Sequence, residues 1–134
     1  MEDCIFCKIT KGEIPNYTVY EDEKVLAFLD IYPHSKGHTV VIPKVHAETI
    51  FDLNEDLLEH ITLGLKRTME GIDSVLQPDG FNVGWNHGEK AGQVVPHLHI
   101  HIIPRYDGDG GGSIHSIIKN PGSKSVEEIH NLFK

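Results

Sequence analysis

Spaced by its apolar residues, the chain reads as short strand-like runs around one long helical pattern. Residues 4–11 suggest a short helical turn or irregular entry, stopped by Gly12. The runs 18–21 and 25–29 flank the polar Asp22-Glu23-Lys24 and predict a hairpin. Gly37 opens a β-branched run over 38–42 that Pro43 closes. Leu57, Leu58, Ile61, Leu65, Met69 and Ile72 then recur at steps of three and four, the signature of one apolar helical face. A helix over 54–76 would extend about 34 Å at 1.5 Å per residue, with Asn54 or Asp52 as its cap. Gln77-Pro78-Asp79-Gly80 is a turn, 81–85 a strand, 86–92 a loop and 98–104 a further strand. The order strand, strand, strand, long helix, strand, strand predicts a single α+β domain over 1–134 with a mostly antiparallel sheet. Within it, 107–124 is expected to be a flexible segment, Gly-rich at 107–113. Residues 125–134 are expected to form a short helix opened by a capping box of Ser125 and Glu128.

Composition narrows the class. Hydrophobic residues make up 39% and charged residues 24% of 134 positions, which fits one folded domain rather than a disordered chain. No apolar run approaches the roughly 20 residues of a membrane span. Met1 is followed at once by Glu2 and Asp3, so no secretory leader is expected and a cytoplasmic protein is the simplest reading. The formal charge is −8, which argues against a nucleic-acid scaffold, since such binding rests on a basic face. A small anionic ligand held locally remains compatible with that charge. The 10 histidines are the more informative feature, because each is able to act as nucleophile, acid, base or metal ligand near neutral pH.

Three of them alternate in Pro96-His97-Leu98-His99-Ile100-His101-Ile102-Ile103-Pro104. As a strand, this puts His97, His99 and His101 on one face and Leu98, Ile100 and Ile102 on the core face. A merely solvated polar face would carry mixed Thr, Lys and Glu. Two functional readings remain open from the residues alone. Imidazoles at i and i+2 lie about 6.5–7 Å apart at Cα, near enough to share a metal ion. Alternatively, the middle histidine is a nucleophile for phosphorus and its neighbours orient it. At the N-terminus, Cys4 and Cys7 form a CxxC pair. Too little chain precedes it for a thioredoxin-type motif, and a cytosolic disulfide is disfavoured. Half of a zinc site fits better, its other two ligands distant in sequence.

The run His97 to Ile103 matches the His-φ-His-φ-His-φ-φ pattern (φ apolar) of the histidine triad (HIT) family of nucleotide hydrolases and transferases. Residues 4–43 and 80–105 also resemble that family, in the same order. The resemblance implies a HIT-like fold, an antiparallel sheet packed on one long helix, and a homodimer. It also implies reaction at the α-phosphate of a purine nucleotide conjugate through a nucleotidyl-histidine, with no organic cofactor and no catalytic metal. Carried over by position, His99 resembles the nucleophile. His101 resembles the residue that contacts the α-phosphate and helps the leaving group, and His97 and His38 resemble supporting histidines. Asp30 resembles the acceptor for the ribose hydroxyls, and Asn86, Gly92 and Gln93 the loop on the phosphate and leaving-group side. Zinc-bearing members imply Cys4, Cys7, His46 and His97 as a structural zinc site. Val94 stands where many members carry a serine, so the leaving-group side departs from the pattern. A nucleotide-binding protein with negligible turnover and a metalloenzyme using the three triad histidines are the alternatives. His34, His60, His87, His115 and His130 are expected to be surface residues.

Overall fold

The computed structural model describes residues 3–134. Its elements are α1 (Ile5–Thr10), β1 (Thr18–Glu21), β2 (Val25–Leu29), β3 (Thr39–Pro43), α2 (Glu55–Leu76), β4 (Gly80–Gly84), β5 (Ile100–Arg105) and α3 (Val126–Asn131). The strands form one antiparallel sheet in the order β1-β2-β3-β5-β4. This is the α+β architecture that the strand and helix patterns predicted.

Local chemistry explains each boundary. At the β1–β2 turn, Asp22 Oδ1 accepts the backbone N–H groups of Lys24 (2.8 Å) and Val25 (2.9 Å), an Asx-type brace for a tight hairpin. Asn54 rather than Asp52 caps α2, its side chain accepting from Leu57 N at 2.9 Å. Asp52 instead closes a capping box with Thr49 around a short 3₁₀ turn. Gln77, in the left-handed region at φ 51°, ends α2 just before Pro78. Cys4 caps α1 through its sulfur, which accepts from Cys7 N at 3.4 Å.

The central strands are apolar on both faces because both faces are covered. On one side Val25, Ala27, Val41, Ile100 and Ile102 pack against the Leu57, Ile61, Leu65, Met69 and Ile72 stripe of α2. On the other, Leu26, Phe28, Val40 and Ile42 pack with Phe6 and Ile9 of α1 and with Ile14. At Gly64 the helix lies close on the sheet, for a Cβ there would lie 2.8 Å from Val25 Cγ1. Among the described residues, no helix is long and apolar enough to cross a membrane.

The histidine run departs from the simple alternating strand. Regular pairing begins only at Ile100, so His97 and His99 precede β5. His97 is fully buried (0% exposed), its Nε2–H donating to the carbonyl of Pro43 (2.9 Å). Phe6 of α1 meets both the His97 ring and that of His99, and His101 lies opposite Val40, so the three rings share the α1 side of the sheet as the alternation predicted. Leu98, Ile100 and Ile102 do face the core, as expected. After β5, the Arg105 guanidinium forks onto Asp109 (2.8 Å from both Nε and Nη2) and also donates to Asn82 and the Gly112 carbonyl. The start of the Gly-rich segment is therefore tied to the sheet. Ser125 and Glu128 form a capping box at α3.

Candidate functional site

His38 stands just before β3 and His101 lies in β5 opposite Val40, one residue into the β3–β5 register. Both therefore face the α1 side of the sheet. His38 Nε2 and His101 Nδ1 are 2.9 Å apart, so one of these nitrogens carries the shared proton. The His99 ring lies 5.1 Å from that of His101, centroid to centroid. Phe6, projecting from α1, stands edge-on to His99 at 5.0 Å and to His97 at 5.8 Å. Opposite His101, β4 carries Gly84, which leaves the ring open to a groove of about 920 Å³. The groove runs past Trp85 and Asn86 to Arg105 and Tyr106.

Backbone partners decide the protonation of two triad rings. A carbonyl only accepts, so His99 Nδ1, 2.8 Å from the His97 carbonyl, carries a hydrogen and leaves a lone pair on Nε2. By the same reasoning His97 Nε2–H donates to Pro43, and its bare Nδ1 faces the cysteines. That nitrogen lies 3.3 Å from Cys4 Sγ and 3.6 Å from Cys7 Sγ, and Cys7 Sγ lies 3.3 Å from His46 Nδ1. The four donors of Cys4, Cys7, His46 and His97 all fall within 4.8 Å of one another. Two sulfurs and two imidazoles in a buried cluster form a donor set suited to zinc. Burial, reinforced by Cys4, pushes the Cys7 thiol above its usual range.

Burial also holds three of the histidines below the usual range. His38 and His97 are depressed mainly by desolvation, opposed at His38 by Asp30 and at His97 by the Pro43 carbonyl. His101 is pushed down to about 4 by burial, then by His99 and His38. Asp30 closes the far side: Oδ2 lies 3.6 Å from His38 Nε2, and Oδ1 accepts from Tyr32 N at 2.8 Å. Its carboxylate is 22% exposed, leaving room for a hydroxyl donor.

Two of the loop residues make bonds within the protein. The Gln93 side chain is engaged at both ends. Its Oε1 accepts from Gly88 N (2.9 Å), its Nε2 donates to the carbonyls of Glu48 (2.8 Å) and Val95 (3.2 Å), and its own N–H donates to Gly88. It braces the loop. The Gly92 N–H is likewise engaged, with Glu89. At φ 106°, with a would-be Cβ 3.3 Å from Asn86 Nδ2, Gly92 serves to seat Asn86. Asn86 itself is exposed, and Val94 is 88% exposed. The triad histidines do not gather into one ligand cluster: His97 groups with Cys4, Cys7 and His46, and His101 with Asp30 and His38. Sequence reasoning missed three participants: Phe6, the Pro43 carbonyl and the backbone of His34, whose N–H donates to His38 Nδ1 at 3.1 Å. Only Phe6 had any signal, its place between the two cysteines. His34, His87, His115 and His130 are exposed, whereas His60 on α2 is half-buried.

Comparison with known proteins agrees with this geometry. A family model described as the HIT domain matches residues 11–108. An uncharacterized HIT-like protein of Methanocaldococcus jannaschii is 55% identical over 107 residues, covering 80% of this chain and 82% of its own length. An adenosine 5′-monophosphoramidase of Schizosaccharomyces pombe is 45% identical over 102 residues, covering 76% of this chain and 74% of that protein. The crystal structure of a HIT family protein from Bacillus anthracis superposes with a TM-score of 0.86 at 45% identity, over 98% of this chain and 93% of that one. With its fold, its histidine run and these relatives in agreement, the chain belongs to the histidine triad family.

Proposed function

We propose that the protein is a nucleotide hydrolase or nucleotidyl transferase acting at the α-phosphate of purine nucleotide conjugates, of the adenosine phosphoramidate or diadenosine polyphosphate kind. The observation that carries this reading is His99. Its Nδ1–H is held on the His97 carbonyl at 2.8 Å, so Nε2 presents a lone pair from a half-buried ring that stands 5.1 Å from His101, which lines the open groove. That lone pair forms the P–N bond while the bond to the leaving group breaks, its electron pair departing with the leaving group. Water then attacks phosphorus, breaks the P–N bond and releases the mononucleotide. His101 and Asn86 are the donors positioned to meet phosphate oxygens, and Asp30 accepts from the ribose hydroxyls. The relative known as an adenosine 5′-monophosphoramidase supports this substrate class.

Cys4, Cys7, His46 and His97 would hold a structural zinc. With all four positions filled by protein, the ion would supply no chemistry at phosphorus; it would fix the His97 ring and thereby the carbonyl that orients His99. We further place the protein in the cytoplasm as a homodimer, as the family resemblance implies. The edge position of β4 and the exposed apolar side chains Ile117, Val126 and Phe133 support self-association.

The test is a rapid quench with adenosine phosphoramidate, diadenosine polyphosphates and a nucleotide sugar, chelator present throughout, followed by mass spectrometry of the His99 peptide. A nucleotide adduct on His99 is the expected result. Binding without adduct or turnover would make the protein a nucleotide-binding member instead. Activity that returns only with added metal would favour the metalloenzyme.

A further inference from the structure

The His38–His101 pair has two possible proton arrangements, and its surroundings select one. His38 closes the loop over 30–38: its carbonyl accepts from Asp30 N (2.9 Å) and its own N–H donates to the Ser35 carbonyl (3.1 Å). At the ring, the His34 amide points at Nδ1 from 3.1 Å. An amide only donates, so His38 Nδ1 must be the bare nitrogen and Nε2 must carry the hydrogen. The Asp30 carboxylate, an acceptor 3.6 Å from Nε2, agrees, and Nε2 donates to His101 Nδ1 at 2.9 Å. His101 Nδ1 is thereby an acceptor, and the hydrogen of the neutral His101 ring sits on Nε2.

We infer that His101 serves as a neutral N–H donor to the phosphate, held in that tautomer by the backbone amide of His34 acting through His38, and that it is not the source of the leaving group's proton. The inference rests on the proposed reaction for its kinetic half, while the tautomers stand on geometry alone. A neutral imidazole that gave up its Nε2 proton would become an imidazolate. To act as an acid, His101 must first gain a proton on Nδ1. That requires His38 Nε2 to turn from donor to acceptor, and so a hydrogen on His38 Nδ1 facing the His34 amide head-on. The other groups around His101 do not rescue the cation, since among the described residues Asp30 is the only acid there and His34 and His99 add like charge when protonated. The low value for His101, about 4, points the same way. The same lock disfavours a metal at the Asp30, His38 and His101 cluster, because an ion would need the bare His38 Nε2 that the amide forbids. The leaving group therefore departs as an anion, or takes its proton from water.

Two experiments test this. The first records ring ¹⁵N resonances of the purified protein at pH 7. His38 and His101 are each expected to show a bare, pyridine-type Nδ1 and a protonated, pyrrole-type Nε2. The reverse pattern on either ring, or a doubly protonated His101, overturns the inference. His34→Ala keeps the amide and should keep the pattern, whereas His34→Pro deletes it and should release it. If the proline variant does not fold, the wild-type spectrum still decides. The second compares the p-nitrophenyl and phenyl esters of AMP. His101→Ala should slow both by about 10²-fold, the usual effect of removing one oxyanion donor, and by the same factor within threefold. A loss more than tenfold larger for the phenyl ester, whose leaving group is the more basic, would identify His101 as a general acid and overturn the inference. If the wild-type protein leaves both esters untouched, the proposed reaction fails while the spectrum still judges the tautomers.

Discussion

The same substitution, glycine to alanine, should have opposite effects at two positions of α2. Gly64 faces β2, and an added Cβ would lie 2.8 Å from Val25 Cγ1 and 3.2 Å from both Val25 Cβ and Cγ2. Rotating the valine cannot relieve the contact with its Cβ, which is fixed to the backbone. Val25 is also 1% exposed, with no free space to move into. The helix must shift, a form of overpacking that typically costs about 1–3 kcal/mol. Gly71 is exposed, and nothing lies within 4 Å of its would-be Cβ. Both variants gain the same helix propensity, about 1 kcal/mol for alanine over glycine. Gly71→Ala should therefore be stabilised by up to about 1 kcal/mol, and Gly64→Ala should be neutral to destabilised by about 2 kcal/mol. The gap between them isolates the packing cost. For 134 residues, an unfolding entropy of about 2.1 cal/mol/K per residue converts each kcal/mol into roughly 3.5 °C, so the melting temperatures should differ by about 4–10 °C. Circular-dichroism melts at matched protein concentration and metal content would measure it. A Gly64→Ala protein as stable as Gly71→Ala would refute the close helix–sheet approach.

Other perturbations reach the site directly. His99→Ala should lose turnover by at least about 10³-fold while nucleotide affinity stays within a few-fold; near wild-type rates in single-turnover assays would discard the nucleophile. Cys4→Ser should purify without zinc by elemental analysis and melt lower than wild type, and an unchanged metal content would rule out the zinc site. Gln93→Ala should raise KM and loosen the loop but retain chemistry, a loss near tenfold, because Gln93 braces the loop; a loss beyond 10³-fold would place it on the substrate. The folded His101 titrates near 4, below the unfolded value near 6.5. The unfolded chain then binds more protons between these values, so stability rises with pH across this window and levels off above it. After discounting for partial exposure, His101 should contribute about 2 kcal/mol of that rise, seen as a shallower pH slope of urea stability in His101→Gln.

Much of this was legible in the sequence because the signals are periodic or local. The stripe from Leu57 to Ile72 specifies a helix with one buried face, whatever lies beneath it. Asn54 and the Ser125–Glu128 pair mark helix starts through bonds that span three residues. The triad's spacing, the CxxC pair and the β-branched run before Pro43 likewise act over a few positions, which is why the likeness to the family could be read from them.

The tertiary structure decided what depends on partners distant in the chain. Alternation placed three histidines on one face, but not their partners: the Pro43 carbonyl, 54 positions away, receives the Nε2–H of His97, because a buried imidazole needs an acceptor for its N–H. Those partners leave His97 Nδ1 facing the cysteines and the His99 ring beside His101, which lines the groove. Gln93 looks like a substrate contact in sequence but is engaged by the Glu48 carbonyl, 45 positions away. The backbone amide of His34 has no sequence signal at all, since every residue but proline carries one. Composition and periodicity determine which faces are apolar and which chemistries are present. Which nitrogen carries each proton is settled only when folding sets a fixed donor or acceptor opposite each ring.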